Sequence, residues 1–158
     1  MAICNPDDLK ASIGKGARLL GLDVGTKTIG MALSDTTPMV ATPLDTIRRT
    51  RFRDDAARIL AEIDRHGVGA VVIGLPLALD GGDSPRTQGV RQFARNLLAC
   101  RDLPVVFWDE RMSTAAVERA MIASDLSRKR RAELIDRAAA AYIMQGLLDR
   151  INRPKEVS

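Results

Sequence analysis

The 158-residue sequence predicts an α/β fold: a mixed five-stranded sheet flanked by helices. Three observations predict it. Two short apolar runs, RLLGLDVG (18–25) and TIGMALSD (28–35), adjoin across a glycine-containing turn, the signature of an antiparallel hairpin. Two continuous apolar runs, AVVIGLP (70–76) and LPVVFWD (103–109), read as strands buried on both faces. Helical patterns separate them, and strand–helix–strand units require parallel pairing with right-handed crossovers. The first three strands are therefore expected to be antiparallel and the later ones parallel, with helices on the faces of one sheet.

Taken in order, residues 1–17 show no sustained period and contain Pro6, Gly14 and Gly16, so a flexible leader is expected. The domain proper is expected over 18–151, with 152–158 as a C-terminal tail. After the hairpin, a third extended piece should include Leu44 to Arg48, following Pro43. DDAARILAEIDRHG (54–67) places Ala57, Leu60, Ala61 and Ile63 near helical spacing and should stop at Gly67. ALDGGDSPRTQG (78–89) reads as a glycine-rich loop, with Ser84-Pro85 opening a helix that runs to about Cys100. Ser113 offers a cap for a helix over TAAVERAMIAS (114–124). AELIDRAAAAYIMQGLLDRI (132–151) is a long amphipathic helix with an alanine-rich side.

Hydrophobic residues at 46% and charged residues at 28% suit a soluble globule. The longest uncharged apolar stretches, such as AVVIGLPLAL (70–79), are too short to span a bilayer. The start, MAICNPDDLK, carries acids where a signal peptide has a basic end, so a cytoplasmic protein without membrane attachment is expected. Cys4 and Cys100 lie far apart and read as reduced thiols, not as a disulfide or zinc framework.

The net charge is only +4, yet the basic residues cluster. Arg48, Arg49, Arg51, Arg53 and Arg58 form one group; Arg128, Lys129, Arg130 and Arg131 form another. Each is either a solvated face or the footprint of a polyanion partner, and two clusters beside acidic motifs favour nucleic acid. Aromatics at 3% argue against a base-stacking platform for single strands.

Asp23 falls near the carboxyl end of the first strand, where open α/β sheets place ligands. Gly21, Gly25 and Gly30 leave room around it. By itself it reads as a metal ligand, as part of a phosphate cradle, or as a strand-end aspartate bonding turn amides. In FWDERMST (107–114), alternation sends Asp109 and Glu110 to opposite faces, and Arg111 can pair with an acid or contact phosphate. Asp136 shares a helix face with Ala139, Ala140 and Ile143, where an acid is costly unless paired or metal-bound; Arg137 and Lys129 are the bland partners.

Carboxylates at the ends of different elements suit a hard divalent ion, Mg²⁺ or Mn²⁺. Two such ions could serve phosphodiester hydrolysis. His66 is the only histidine and reads as a helix-end residue, which excludes zinc clusters and histidine-dependent triads. The loop after the buried strand, with Gly74, Asp80, Gly81 and Gly82, could bare amides to phosphate or order over substrate, or simply connect two elements. It lacks the ending of a P-loop.

GLDVGTKTIGMALSD, GLPLALDGGDSP, DERMST and IDRAAAAYIMQ, in that order and spacing, resemble the YqgF family, also called RuvX. The family comprises pre-16S rRNA nucleases, also described as Holliday junction resolvases. The resemblance covers roughly residues 18–151. It implies a ribonuclease H-like fold and metal-dependent endonucleolytic cleavage linked to trimming the 5′ end of pre-16S rRNA. Carried over by motif, the catalytic and metal-binding acids are Asp23, Glu110 and Asp136, with Asp109 the alternative to Glu110. Related junction resolvases carry an acid in the central strand where this chain has AVVIGLP with none. Lys27, Arg111, Arg128, Lys129, Arg130 and Arg131 are the expected nucleic-acid contacts. The expected partner is pre-rRNA or branched DNA, bound by a monomer or homodimer. Two other classes compete: a nucleotide-binding module, for which the chain lacks room for a second domain, and a non-catalytic ribosome-assembly factor of the same fold.

Overall fold

The computed structural model describes residues 2–4, 9, 16–77, 80–109 and 128–152, and their side chains except at 2–4 and 128–138. The strands are β1 (Ala2–Cys4), β2 (Arg18–Val24), β3 (Thr28–Ser34), β4 (Ala41–Arg48), β5 (Val68–Leu75) and β6 (Pro104–Asp109). The helices among the described residues are α1 (Phe52–His66), α2 (Pro85–Cys100) and α3 (Arg128–Ile151). The helix expected over 114–124 lies outside the described residues. None of the described helices is long and apolar enough to cross a membrane.

All six strands join one sheet in the order β1–β6–β5–β2–β3–β4. The expected hairpin forms, with Gly21 opposite Ala32 and Asp23 opposite Gly30 in antiparallel register. β4 extends the antiparallel part, while β5 and β6 run parallel to β2. Pro43 is tolerated because β4 is an edge strand and a register shift between Met31 and Ala32 falls beside it.

The leader corrects one expectation. Ala2–Cys4 pairs in parallel with β6, and Leu9 is fully buried, so part of 1–17 belongs to the fold and adds a sixth strand. A short strand here covers a sheet edge that would otherwise present unpaired N–H and C=O groups. Three residues are too few to show a period, so no pattern in 1–17 announces this strand.

Strand alternation divides the core. Leu20, Leu22, Val24, Ile29, Met31, Val71, Ile73 and Leu75 face α1 and α2. Leu19, Ala32, Ala70, Val72, Val106 and Trp108 face α3. The α3 face is lined with small residues, and a Cβ added at Gly21 would lie 3.3 Å from the Ala140 carbonyl oxygen. The alanine-rich side of α3 thus lies close against the strand that carries Asp23.

Each helix has a local reason to stop or start. α1 ends at Gly67, whose φ of 63° is left-handed, and whose N–H donates to the Ile63 carbonyl. His66 lies 3.1 Å from the buried Glu62, a structural contact as expected. At the start of α2, Ser84 and Thr87 form a reciprocal capping box, with Pro85 in the first turn. The described part of α3 already includes the basic run 128–131, four residues before the expected start.

Candidate metal and nucleic-acid site at the carboxyl end of β2

Asp23 is the penultimate residue of β2 and is half-buried on the α3 face. A Cβ added at Gly30 would lie 3.7 Å from the Asp23 Cβ and 3.6 Å from the Ala140 Cβ, so the glycine keeps space open beside the carboxylate. The turn that follows holds itself without Asp23. Gly25 N–H donates to the Thr28 carbonyl at 2.8 Å, and Arg49 N–H donates to the Lys27 carbonyl at 2.8 Å. Arg49 Nη1 donates to the Gly25 carbonyl at 2.7 Å. Asp23 has neither a hydrogen-bond partner nor an ion-pair partner among the described residues. No turn amide among the described residues bonds this half-buried carboxylate. Taking it partly out of water carries a cost that a cation or a ligand donor would offset.

α3 crosses this face antiparallel to β2. Met144 stands over Gly21 and Ala140 over Gly30, the partner of Asp23. Two residues of β2 advance about 6.6 Å and four residues of α3 about 6 Å, so the two elements stay in step. Position 136 is one turn further along α3, beyond Ala140, toward the carboxyl end of β2. Its side chain lies outside the described ones, as do those of Arg128, Lys129, Arg130 and Arg131.

β6 ends level with the same region. Trp108 pairs with Gly74 and belongs to the α3 face, whereas Asp109 pairs with Leu75, a residue of the opposite core. Asp109 is thus displaced from the Asp23 face by alternation. Glu110 and Arg111 lie outside the described residues. Among the described residues no group of three His, Cys, Asp or Glu side chains is placed to hold a metal. The Asp23 carboxylate is an oxygen donor of the kind a hard cation takes.

The loop after β5 is fastened at both ends. Thr87 Oγ1 donates to the Pro76 carbonyl, and Leu77 N–H donates to the Leu75 carbonyl. Asp80 Oδ1 accepts from Gly82 N–H at 2.8 Å, Gly81 takes a φ of 85°, and Asp83 pairs with Arg91. Gly74 is buried in β5, and Lys27 is exposed on the β2–β3 turn. Sequence reasoning treated Arg49 only as one of a cluster. Its bond to Gly25 spans 24 residues, and no local pattern announces it.

A family model described as "RuvX: Holliday junction resolvase" matches residues 17–150. The chain belongs to the RuvX family. Full-length relatives agree. A RuvX-family relative from Paramagnetospirillum magneticum is 57% identical over 149 residues, covering 94% of this chain and 96% of its own. One from Methylocella silvestris is 53% identical over 146 residues, covering 92% and 91%. One from Rhodospirillum rubrum is 49% identical over 156 residues, covering 98% and 97%. All three bear the name "Putative pre-16S rRNA nuclease". Among solved structures, Thermus thermophilus RuvC in complex with a Holliday junction substrate superposes with a TM-score of 0.54. It is 16% identical, over 86% of this chain and 96% of that one. At that identity the likeness concerns the fold, which is the ribonuclease H-like arrangement expected from the sequence.

Proposed function

We propose that this protein is a divalent-metal-dependent endonuclease that hydrolyses phosphodiester bonds in structured RNA, acting at the 5′ end of pre-16S rRNA. The observation that carries this is Asp23: a half-buried carboxylate without a partner among the described residues, beside a glycine-cleared space on β2 of a RuvX-family chain. Asp23, Glu110 and Asp136 are the proposed ligands. Alternation supports Glu110 over Asp109, because Trp108 faces α3 and the next position of that parity is 110. The step-for-step advance of α3 along β2 supports Asp136.

Oxygen donors of this kind suit Mg²⁺ or Mn²⁺ and not a soft ion. Bound there, the metal would supply charge stabilisation and an acidified water at neutral pH. The protein's own part is positioning. Gly30 leaves the substrate backbone room to approach Asp23. Lys27, Arg111, Arg128, Lys129, Arg130 and Arg131 draw in and hold phosphates by charge. The loop with Gly74, Asp80, Gly81 and Gly82 borders the same end of the sheet. The exposed free thiol of Cys100 suits a reducing, cytoplasmic setting.

Asp23→Asn tests the proposal directly. Purified protein should cleave a pre-16S-like RNA with Mg²⁺ or Mn²⁺, and the variant should bind that RNA but not cut it. Full cleavage by the variant would sink the assignment. The family's description favours a second reading, branched-DNA cleavage, which a four-way junction assayed beside the RNA separates. RNA binding without metal-dependent cutting by the unaltered protein would mark a non-catalytic assembly factor.

A further inference from the structure

We propose that the cleft beside the β2–β3 turn, on the face opposite Asp23, is a subsite for a non-scissile phosphate of the nucleic-acid strand. The inference rests on the nuclease reading and adds a second contact point to it. The cleft has a volume of about 410 Å³, and its lining includes Val24, Gly25, Thr26, Arg49, Arg86 and Gly89. Among the described residues its lining carries two arginines and no carboxylate. Val24 belongs to the core under α1 and α2, so the cleft opens on that side of the sheet, one residue along β2 from Asp23. A strand laid across the carboxyl end of β2 would meet Asp23 on one side and this cleft on the other.

The two arginines differ from several of their neighbours on and beside α1 and α2. Arg58, Arg65, Arg91 and Arg101 each pair with a carboxylate. Arg49 and Arg86 pair with none among the described residues. Arg49 is held in place: one guanidinium nitrogen donates to the Gly25 carbonyl, and the group lies 5.7 Å from the Phe93 ring centroid. A guanidinium carries five N–H donors, so this anchoring leaves several for an anion. Arg86 stands exposed on the opposite wall, at the start of α2. The helix start is a minor contributor. Pro85 has no N–H, and the Thr87 N–H is already taken by Ser84 Oγ. The charge of the cleft therefore comes from the two side chains. Gly25 and Gly89 carry no side chains to keep a phosphodiester backbone away.

The test is equilibrium binding of a pre-16S-like RNA in EDTA, by fluorescence anisotropy across 50–200 mM salt. Arg86→Ala removes an exposed side chain and should leave the fold intact. It should bind more weakly than the unaltered protein at low salt, with the salt slope reduced by about 1. The affinity gap should accordingly close about threefold over that range. Arg49→Lys keeps the charge but loses the planar fork, and should also weaken binding. Arg95→Ala, whose guanidinium bonds only Gln92 among the described residues, is the control and should keep the full slope. An unchanged slope in Arg86→Ala, or an equal drop in Arg95→Ala, would overturn the subsite. Saturable ATP binding lost in Arg86→Ala, with RNA binding unaffected, would overturn assignment to a strand. These outcomes leave the nuclease reading standing, which fails separately if the unaltered protein neither binds nor cuts RNA.

Discussion

Gly21 and Gly30 lie on one sheet face but under different constraints. A Cβ at Gly21 would sit 2.7 Å from Met144 Cε, 3.1 Å from Met144 Cβ and 3.3 Å from the Ala140 carbonyl oxygen. The methionine tip can swing away; the helix backbone cannot. Gly21→Ala should therefore cost about 1–3 kcal/mol through overpacking, read from urea denaturation. Gly30→Ala meets only ordinary contacts and should cost less, while cleavage falls because the new methyl crowds Asp23. Equal stability losses in both variants would contradict this account of the α3 contact. At Asp35 the argument is electrostatic. Backbone N–H groups of Met39 and Val40 hydrogen-bond its carboxylate, and these bonds hold its pKa below the usual value. A folded-state pKa below the unfolded one adds stability above the unfolded value, near 3.9, which is lost as pH falls through the folded value. The melting-temperature difference between the unaltered protein and Asp35→Asn should be present at pH 6 and shrink steadily below pH 4.

At the scale of elements, the junction of β5 and α2 hangs on Thr87. This fully buried residue donates to the Pro76 carbonyl and accepts from the Ser84 N–H at 3.1 Å, while its own N–H bonds Ser84 Oγ. Thr87→Val keeps the shape and leaves the Pro76 carbonyl and the Ser84 N–H without these partners, so a loss of about 1–3 kcal/mol is expected. Ser84→Ala removes one cap acceptor and should cost about 1 kcal/mol. Urea melts that reverse this order would show that the cap, not the tie to β5, dominates. α3 shows how far a local pattern reaches. Ala140, Ile143, Met144, Leu147 and Leu148 are all buried, at the spacing that its sequence displays. The same spacing could not say that Gly21 and Gly30 are what it packs against.

For the whole molecule, charge placement matters more than net charge. The modest +4 coexists with a basic stretch running from Arg48 to Arg53, near the turn after Asp23, that pairs with no carboxylate among the described residues. Nucleic-acid binding should therefore weaken steeply with salt, and log K against log salt gives the number of phosphates engaged. A flat salt response would remove the electrostatic part of the functional reading. The sheet order explains why distant motifs meet. β2 lies between β3 and β5, so the first motif, the loop after β5 and the end of β6 reach the same end of one sheet. Most of the fold was legible because each element has its own period or punctuation: the hairpin turn, Gly67, Ser84-Pro85 and the apolar runs. The candidate site was legible only in part, as residue types at strand and helix ends. Alternation already sent Asp109 and Glu110 to opposite faces, but only the packing of Trp108 and Leu75 tells which side of the sheet Asp109 takes.

The sequence by itself determined the α/β class, the antiparallel opening, the end of α1, the limits of α2 and the family, since these rest on local periodicity and on ordered motifs within one chain. Tertiary structure decided the rest. It paired Ala2–Cys4 with β6, half-buried Asp23 beside Gly30, and set Arg49 against Gly25 and Phe93. These contacts join residues that are far apart in the chain. Their existence depends on strand order and on which face each element covers, and neither quantity is written in any short stretch of residues.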